Sequence, residues 1–219
     1  MTEPRRLDLR GDPEADLTSV VEHLEAGGVI AYPTETVYGL GSVCADAGIR
    51  RIQELKRRSP MKPLIVLVQS ADSVVELRWT DDARALAGVF WPGPLTLVLE
   101  DPSGMFPRGV RHDKTRAVGV RVSPHPTVER LLAAMGTPLT STSLNLPGEP
   151  PAAAGHEALG VVRKLGGGDV VLLDAGTLPP SGPSTVVDCT GSEPVVLREG
   201  SVPIGRLQCT IPGIHERTS

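Results

Sequence analysis

The chain has 219 residues and a net charge of −4, with 40% apolar residues but only 3% aromatic. So few aromatic rings leave a core of Val, Leu and Ala and remove the platforms on which single-stranded nucleic acid stacks, and the acidic balance excludes a polyanion-binding surface over the whole molecule, though not a local basic patch. Three cysteines, Cys44, Cys189 and Cys209, stand without CxxC spacing, so neither a disulfide framework nor a zinc site can be read and a reducing compartment is expected.

Residues 1–13 read as a polar lead-in in which Arg5, Arg6 and Arg10 are solvated. Without an apolar leader, and with no run near the roughly 18–20 apolar residues of a membrane span, the chain is expected to be soluble and cytoplasmic. Leu17, Val20, Val21 and Leu24 repeat at helical spacing over 16–25, and Gly27-Gly28 ends that helix. Val29–Tyr32 is a short buried strand, broken at Pro33 and followed by Thr34-Glu35-Thr36 and the glycines Gly39 and Gly41. Such a triplet either projects polar atoms into a cleft or is an ordinary solvated loop.

Asp46–Arg58 is an amphipathic helix on Ile49, Ile52 and Leu55, stopped by Ser59-Pro60. Further strands are predicted over 64–68, 95–100, 117–122, 139–143, 170–174, 185–188 and 195–197. Helices are predicted over 81–90, 126–135 and 157–165. Residues 101–116, rich in Gly, Pro and cations, read as a loop and candidate lid, and the end of the chain, from about residue 208, as a frayed tail. Helices set irregularly among so many strands predict a mixed α/β sheet with helices over one or both faces, in one domain spanning 1–219 with its core at about 14–207. No GxGxxG or P-loop pattern is present.

Four groups stand out chemically. Lys56, Arg58 and Lys62 fall within seven residues around a helix end, where they either converge on a large anion or simply favour the helix dipole. Ser141, Ser143 and Asn145 share one face of a strand, a cleft wall or a solvated edge. Arg121 interrupts an apolar strand and needs a carboxylate or phosphate partner, from the protein or from a substrate. Ser184 and Arg198 lie at the ends of late strands. The five histidines are scattered, no metal cage can be read, and no serine has a nucleophile-elbow context. Hydroxyls, an amide and cations suit positioning and electrostatic stabilisation of phosphoryl or nucleotidyl transfer.

PTETVYGLG at 33–41, KRRSPMKPL at 56–64, VGVRVSPHP at 118–126, STSLN at 141–145, PSTVVD at 183–188 and VLREG at 196–200 together resemble the YrdC-type L-threonylcarbamoyladenylate synthases in their short form. The resemblance implies a twisted sheet around a positively charged cavity, and a reaction of L-threonine, bicarbonate or CO2 and ATP that yields threonylcarbamoyl-AMP and pyrophosphate. It implies that the product serves threonylcarbamoyl modification of the adenosine beside the anticodon of tRNA, completed by a separate transferase complex, with at most weak direct contact to tRNA. Carried over by position, Thr34, Arg121, Ser143 and Ser184 would meet threonine, and Lys56, Arg58, Lys62, Asn145 and Arg198 would meet ATP, with Lys56, Arg58, Ser143 and Asn145 at the reacting centre. Mg2+ would be held mainly through ATP phosphates, with no protein metal site. Leu67, Ala117 and Ala153 depart from contacts made in some members. Two other readings remain at this stage, an RNA- or tRNA-binding module and a carbamoyl transferase on the same fold.

Overall fold

The computed structural model describes residues 3–59, 62–112 and 114–217. Its strands are β1 (Arg5–Asp8), β2 (Ile30–Tyr32), β3 (Gly39–Gly41), β4 (Ile65–Leu67), β5 (Leu95–Glu100), β6 (Ala117–Arg121), β7 (Leu139–Ser143), β8 (Val171–Asp174), β9 (Thr185–Asp188), β10 (Val195–Arg198) and β11 (His215–Glu216). The helices are α1 (Thr18–Glu25), α2 (Asp46–Lys56), α3 (Asp81–Phe90), α4 (Pro126–Met135), α5 (Gly155–Lys164) and α6 (Ile204–Gln208). The strands hydrogen-bond in the order β1-β8-β2-β3-β7-β4-β6-β5-β9-β10-β11, a mixed α/β sheet as expected.

Strand alternation divides the core between the two faces of this sheet. Along β2, Ile30 and Tyr32 join Leu17, Val20 and Leu24 of the α1 segment and Val128, Leu131 and Leu132 of α4 on one side. Ala31 and Leu172 turn to the other side, with Leu40 and with Ile49, Ile52 and Leu55 of α2. Helix ends follow local chemistry. The Thr80 hydroxyl accepts from Ala83 N to start α3, the His125 ring accepts from Thr127 N to start α4, and Gly136 takes the left-handed conformation that ends α4.

Glycines 39 and 41 are needed for close approach. A Cβ on Gly41 would fall 2.2 Å from Thr140 O, and one on Gly39 would crowd Ser141 Oγ and the Tyr32 ring. With no side chains there, β3 packs tightly between β2 and β7, antiparallel to both.

Three expectations need correction. The lead-in contains a strand: β1 pairs parallel with β8, and Arg6 reaches the buried Asp174 at 2.7 Å. The end of the chain is not frayed over its described part. There α6 is followed by buried Ile214 and by β11 parallel to β10, with Arg217 N donating to Val196 O at 3.0 Å. Residues 101–112 are packed rather than lid-like. The buried Asp101 carboxylate accepts from the N–H groups of Gly104, Met105 and Phe106, and Phe106 and Val110 enter the core. Pro60, the expected breaker after α2, and the last two residues of the chain lie outside the described residues.

Candidate active site

Strand ends and turns from the middle of the sheet out to β10, one strand short of its edge, carry the site. Thr34 and Thr36 come from the turn between β2 and β3, Ser141 and Ser143 from β7, Arg121 from the end of β6, Ser184 from just before β9, and Arg198 from the end of β10. With Arg58, Pro63 and Ile65 they line one cleft of about 140 Å³. That is well below the roughly 300–1,000 Å³ of sites for drug-sized ligands, so it has room only for a small molecule. A cavity of about 730 Å³ lies elsewhere, between Trp79, Trp91, Val122 and Leu132. Its walls are mainly apolar, with Ser70, Ser123, Arg84, Arg130 and the acidic Glu129 among them, whereas the smaller cleft gathers three arginines and six hydroxyl side chains with no carboxylate in its lining.

Arg58 reaches the cleft through an unusual turn. Arg57, just past α2, adopts the left-handed conformation with φ 46°. Arg58 N then bonds to Gln53 O and Arg57 N to Glu54 O, the pairing that usually closes on a glycine. A non-glycine residue there costs on the order of 1 kcal/mol, a local strain of the kind found at functional sites. The Arg58 guanidinium is braced from Nε to Lys62 O and from Nη2 to Pro63 O. Lys62 itself is exposed, and the structure does not bring it into the cleft lining.

Lys56 lies behind Ser143. Its Nζ donates to Ser143 O at 2.5 Å and to Asn145 Oδ1 at 2.7 Å, and Ser143 Oγ donates to the same Oδ1 at 2.9 Å. The Asn145 amide is itself fixed by donating to Leu146 O and Glu149 O. The ammonium is thus held by neutral acceptors. Burial, and then the neighbouring Arg58, push its pKa down from 10.5 to about 8. Lys56, Ser143 and Asn145 form one hydrogen-bonded unit at the cleft's edge.

Arg121 is buried and Glu35 stands beside it, Nη1 to Oε1 at 3.6 Å. Arg198 Nη2 donates to Ser184 O at 2.8 Å, and the Ser184 and Thr96 hydroxyls lie 2.9 Å apart. Arg198 loses some basicity first to desolvation and then to the positive charge of Arg121, so the two guanidiniums feel one another. Lys56, Arg58, Arg121 and Arg198 make this an anion-receptive site.

The Thr34 hydroxyl is already committed within its own turn. Oγ1 donates to Val37 O at 2.7 Å and accepts from Thr36 N and Val37 N. The two threonine hydroxyls lie 2.9 Å apart, and either can donate in that contact. Thr36 lines the cleft beside Thr34. Ser141 joins the cleft lining as one of the two outcomes its strand face allowed, while Thr36 had no contact assigned, although its i, i+2 spacing from Thr34 was a usable signal. Of the departing positions, Leu67 is buried in the core and Ala117 lines a neighbouring cavity, while Ala153 N donates to Glu157 Oε2.

Among the described residues no three His, Cys, Asp or Glu side chains gather as a metal cage, and no helix is long and apolar enough to cross a membrane.

A family model described as Sua5/YciO/YrdC, telomere recombination, matches residues 22–200. Threonylcarbamoyl-AMP synthase of Bacillus subtilis is 34% identical over 192 residues, covering 85% of this chain but 54% of its own length. The chain thus spans about half of that relative. Threonylcarbamoyl-AMP synthase of Chromohalobacter salexigens is 38% identical over 180 residues, covering 81% of this chain and 94% of its own. The crystal structure of Pyrococcus abyssi Sua5 complexed with L-threonine superposes with a TM-score of 0.85 at 29% identity, over 99% of this chain and 62% of that one.

Proposed function

The chain belongs to the Sua5/YciO/YrdC family, and from that premise we propose that it is a threonylcarbamoyl-AMP synthase, a nucleotidyltransferase that joins L-threonine, bicarbonate or CO2, and ATP. One observation carries the reading. A buried arginine, Arg121, faces a cleft of amino-acid size walled by hydroxyls, with Arg58 and Arg198 in the same lining and the Lys56 unit at its edge. A small zwitterion fits within, and a polyphosphate fits outside it.

In this reading Arg121 binds the threonine carboxylate as a planar two-pronged donor, and Ser143, Ser184 and the Thr34–Thr36 turn orient the rest of the amino acid. The threonine ammonium gives one proton to solvent, the free amine adds to CO2 as a C–O π pair moves to oxygen, and a second N–H proton lost to solvent leaves the carbamate. A carbamate oxygen then attacks the α-phosphorus in line, the bond to the bridging oxygen breaks, and pyrophosphate leaves with that electron pair. In the same reading Lys56, Arg58 and Arg198 neutralise charge growing on the phosphate oxygens, and the Asn145 hydrogen bond to Lys56 keeps that ammonium aimed. The protein's donors here are cations and hydroxyls, so Mg2+ enters with ATP as part of the substrate. The chain is proposed to act in the cytoplasm, its product passing to a transferase complex that modifies tRNA.

The test is pyrophosphate release with ATP, Mg2+, bicarbonate and each amino acid in turn. Release that depends on both threonine and bicarbonate is expected; release indifferent to either one overturns the proposal.

A further inference from the structure

Two buried polar atoms at the cleft have no hydrogen-bond partner, Oε1 of Glu35 and Nε of Arg121. Native interiors leave few such atoms, and each one calls for a reason. Glu35 lies between Thr34 and Thr36, which line the cleft, but is not itself part of the lining. Its carboxylate stands behind Arg121, with Oε2 accepting from Ser123 Oγ at 2.5 Å and Oε1 facing Arg121 Nη1 at 3.6 Å. That last distance is an ion pair but too long for a hydrogen bond. Ser123 is tied in turn to the start of α4, accepting from His125 N. The carboxylate is therefore fixed to the scaffold, while the arginine is attracted to it without being locked by it.

Charge decides what such a pair accepts. A buried guanidinium with no counter-charge would attract any small anion strongly. With Glu35 behind it the pair is close to neutral: Arg58 and Arg198 still draw an anion to the cleft, and the Glu35 carboxylate reduces that attraction for an anion seated on Arg121. A zwitterion does not incur that cost, because its ammonium group brings a positive charge of its own. Resting on the amino-acid cleft assigned above, we propose that Glu35 is a positioning and specificity residue. It holds Arg121 from behind and makes the cleft favour zwitterionic amino acids over anions that lack an ammonium group.

Glu35→Gln tests this, because it keeps shape and hydrogen-bonding capacity while removing the charge. The probes are L-threonine and 3-hydroxybutyrate, which is threonine without its amine. Binding of each is measured by calorimetry, and 3-hydroxybutyrate is also tested as an inhibitor of pyrophosphate release. The ratio of the two affinities is expected to shift toward 3-hydroxybutyrate by about tenfold or more. KM for threonine should rise and KM for ATP should stay within about twofold of wild type. Ser123→Ala, which frees the carboxylate but keeps its charge, should shift the ratio less and in the same direction, and it serves if Glu35→Gln does not fold. A simple structural loss would lower both affinities together, and an unchanged ratio in both variants overturns the inference. If wild type binds threonine without turnover, the synthase reading fails while the ratio still decides the role of Glu35. If wild type binds neither probe, the cleft assignment falls and this inference with it.

Discussion

Replacing Lys56 with Met should make the protein more stable and much less active. In the unfolded chain Lys56 keeps its proton up to about pH 10.5, and in the fold only up to about 8. At pH 7 folding therefore carries a buried charge without a carboxylate partner, and the drop in pKa is worth about 3 kcal/mol of destabilisation. Met fills the same channel with no charge. The substitution also removes the hydrogen bonds to Ser143 O and Asn145 Oδ1, each worth about 1 kcal/mol. The balance favours Lys56→Met by roughly 1 kcal/mol, or about 2–4 °C in Tm for a domain of this size. Between pH 8 and 10.5 the unfolded state holds the extra proton, so the contribution of Lys56 to stability improves as pH rises and the gap to the variant should close. Thermal unfolding of both proteins from pH 7 to 10 measures the gap. Pyrophosphate release by the variant should fall by about 10²–10³ because a cation at the reacting phosphates is gone. A variant less stable than wild type at pH 7, or a gap indifferent to pH, would refute the burial argument. Full activity would refute the assignment of Lys56.

Arg121→Lys keeps the charge but loses the planar fork, so KM for threonine should rise by about tenfold or more with KM for ATP little changed, as steady-state kinetics would show. Ile214→Ala should cost about 2–5 kcal/mol in urea unfolding, because the side chain is buried beside β11; a value within about 0.5 kcal/mol would mean that this segment does not pack. Cys44 and Cys189 are pushed up to about 12 by burial, while Cys209 is exposed, so a thiol reagent at pH 8 should label one cysteine rapidly in the native protein and all three after denaturation.

Much of the fold is legible from periodicity. Asp81–Phe90, Pro126–Met135, Leu95–Glu100 and Leu139–Ser143 form over the residues predicted, because each has a clear repeat and a local stop signal. Short edge strands escaped such reading. Arg5–Asp8 has one apolar residue in four, and its strand exists because β8 offers a free edge. His215–Glu216 is similarly made by β10. The two glycines of β3 read as a turn, since nothing near them in sequence shows that Thr140 must pass within contact distance.

The site divides along the same line. From residue types alone the sequence determined that the chemistry would be carried by cations, hydroxyls and an amide. It also determined that Arg121, standing in an apolar strand, required an anion. The order of six motifs along the chain determined the family. The tertiary structure decided how these groups are used. It placed Lys56 behind Ser143 and left Lys62 outside the cleft. It committed the Thr34 hydroxyl within its own turn and put Thr36 beside it in the cleft lining. It also set Glu35 against Arg121, a contact between residues 86 positions apart in the chain. Residue type and spacing fix what a group can donate, accept or neutralise. Which group faces the cleft depends on strand register and on distances between segments remote in sequence, and those are settled only when the sheet closes.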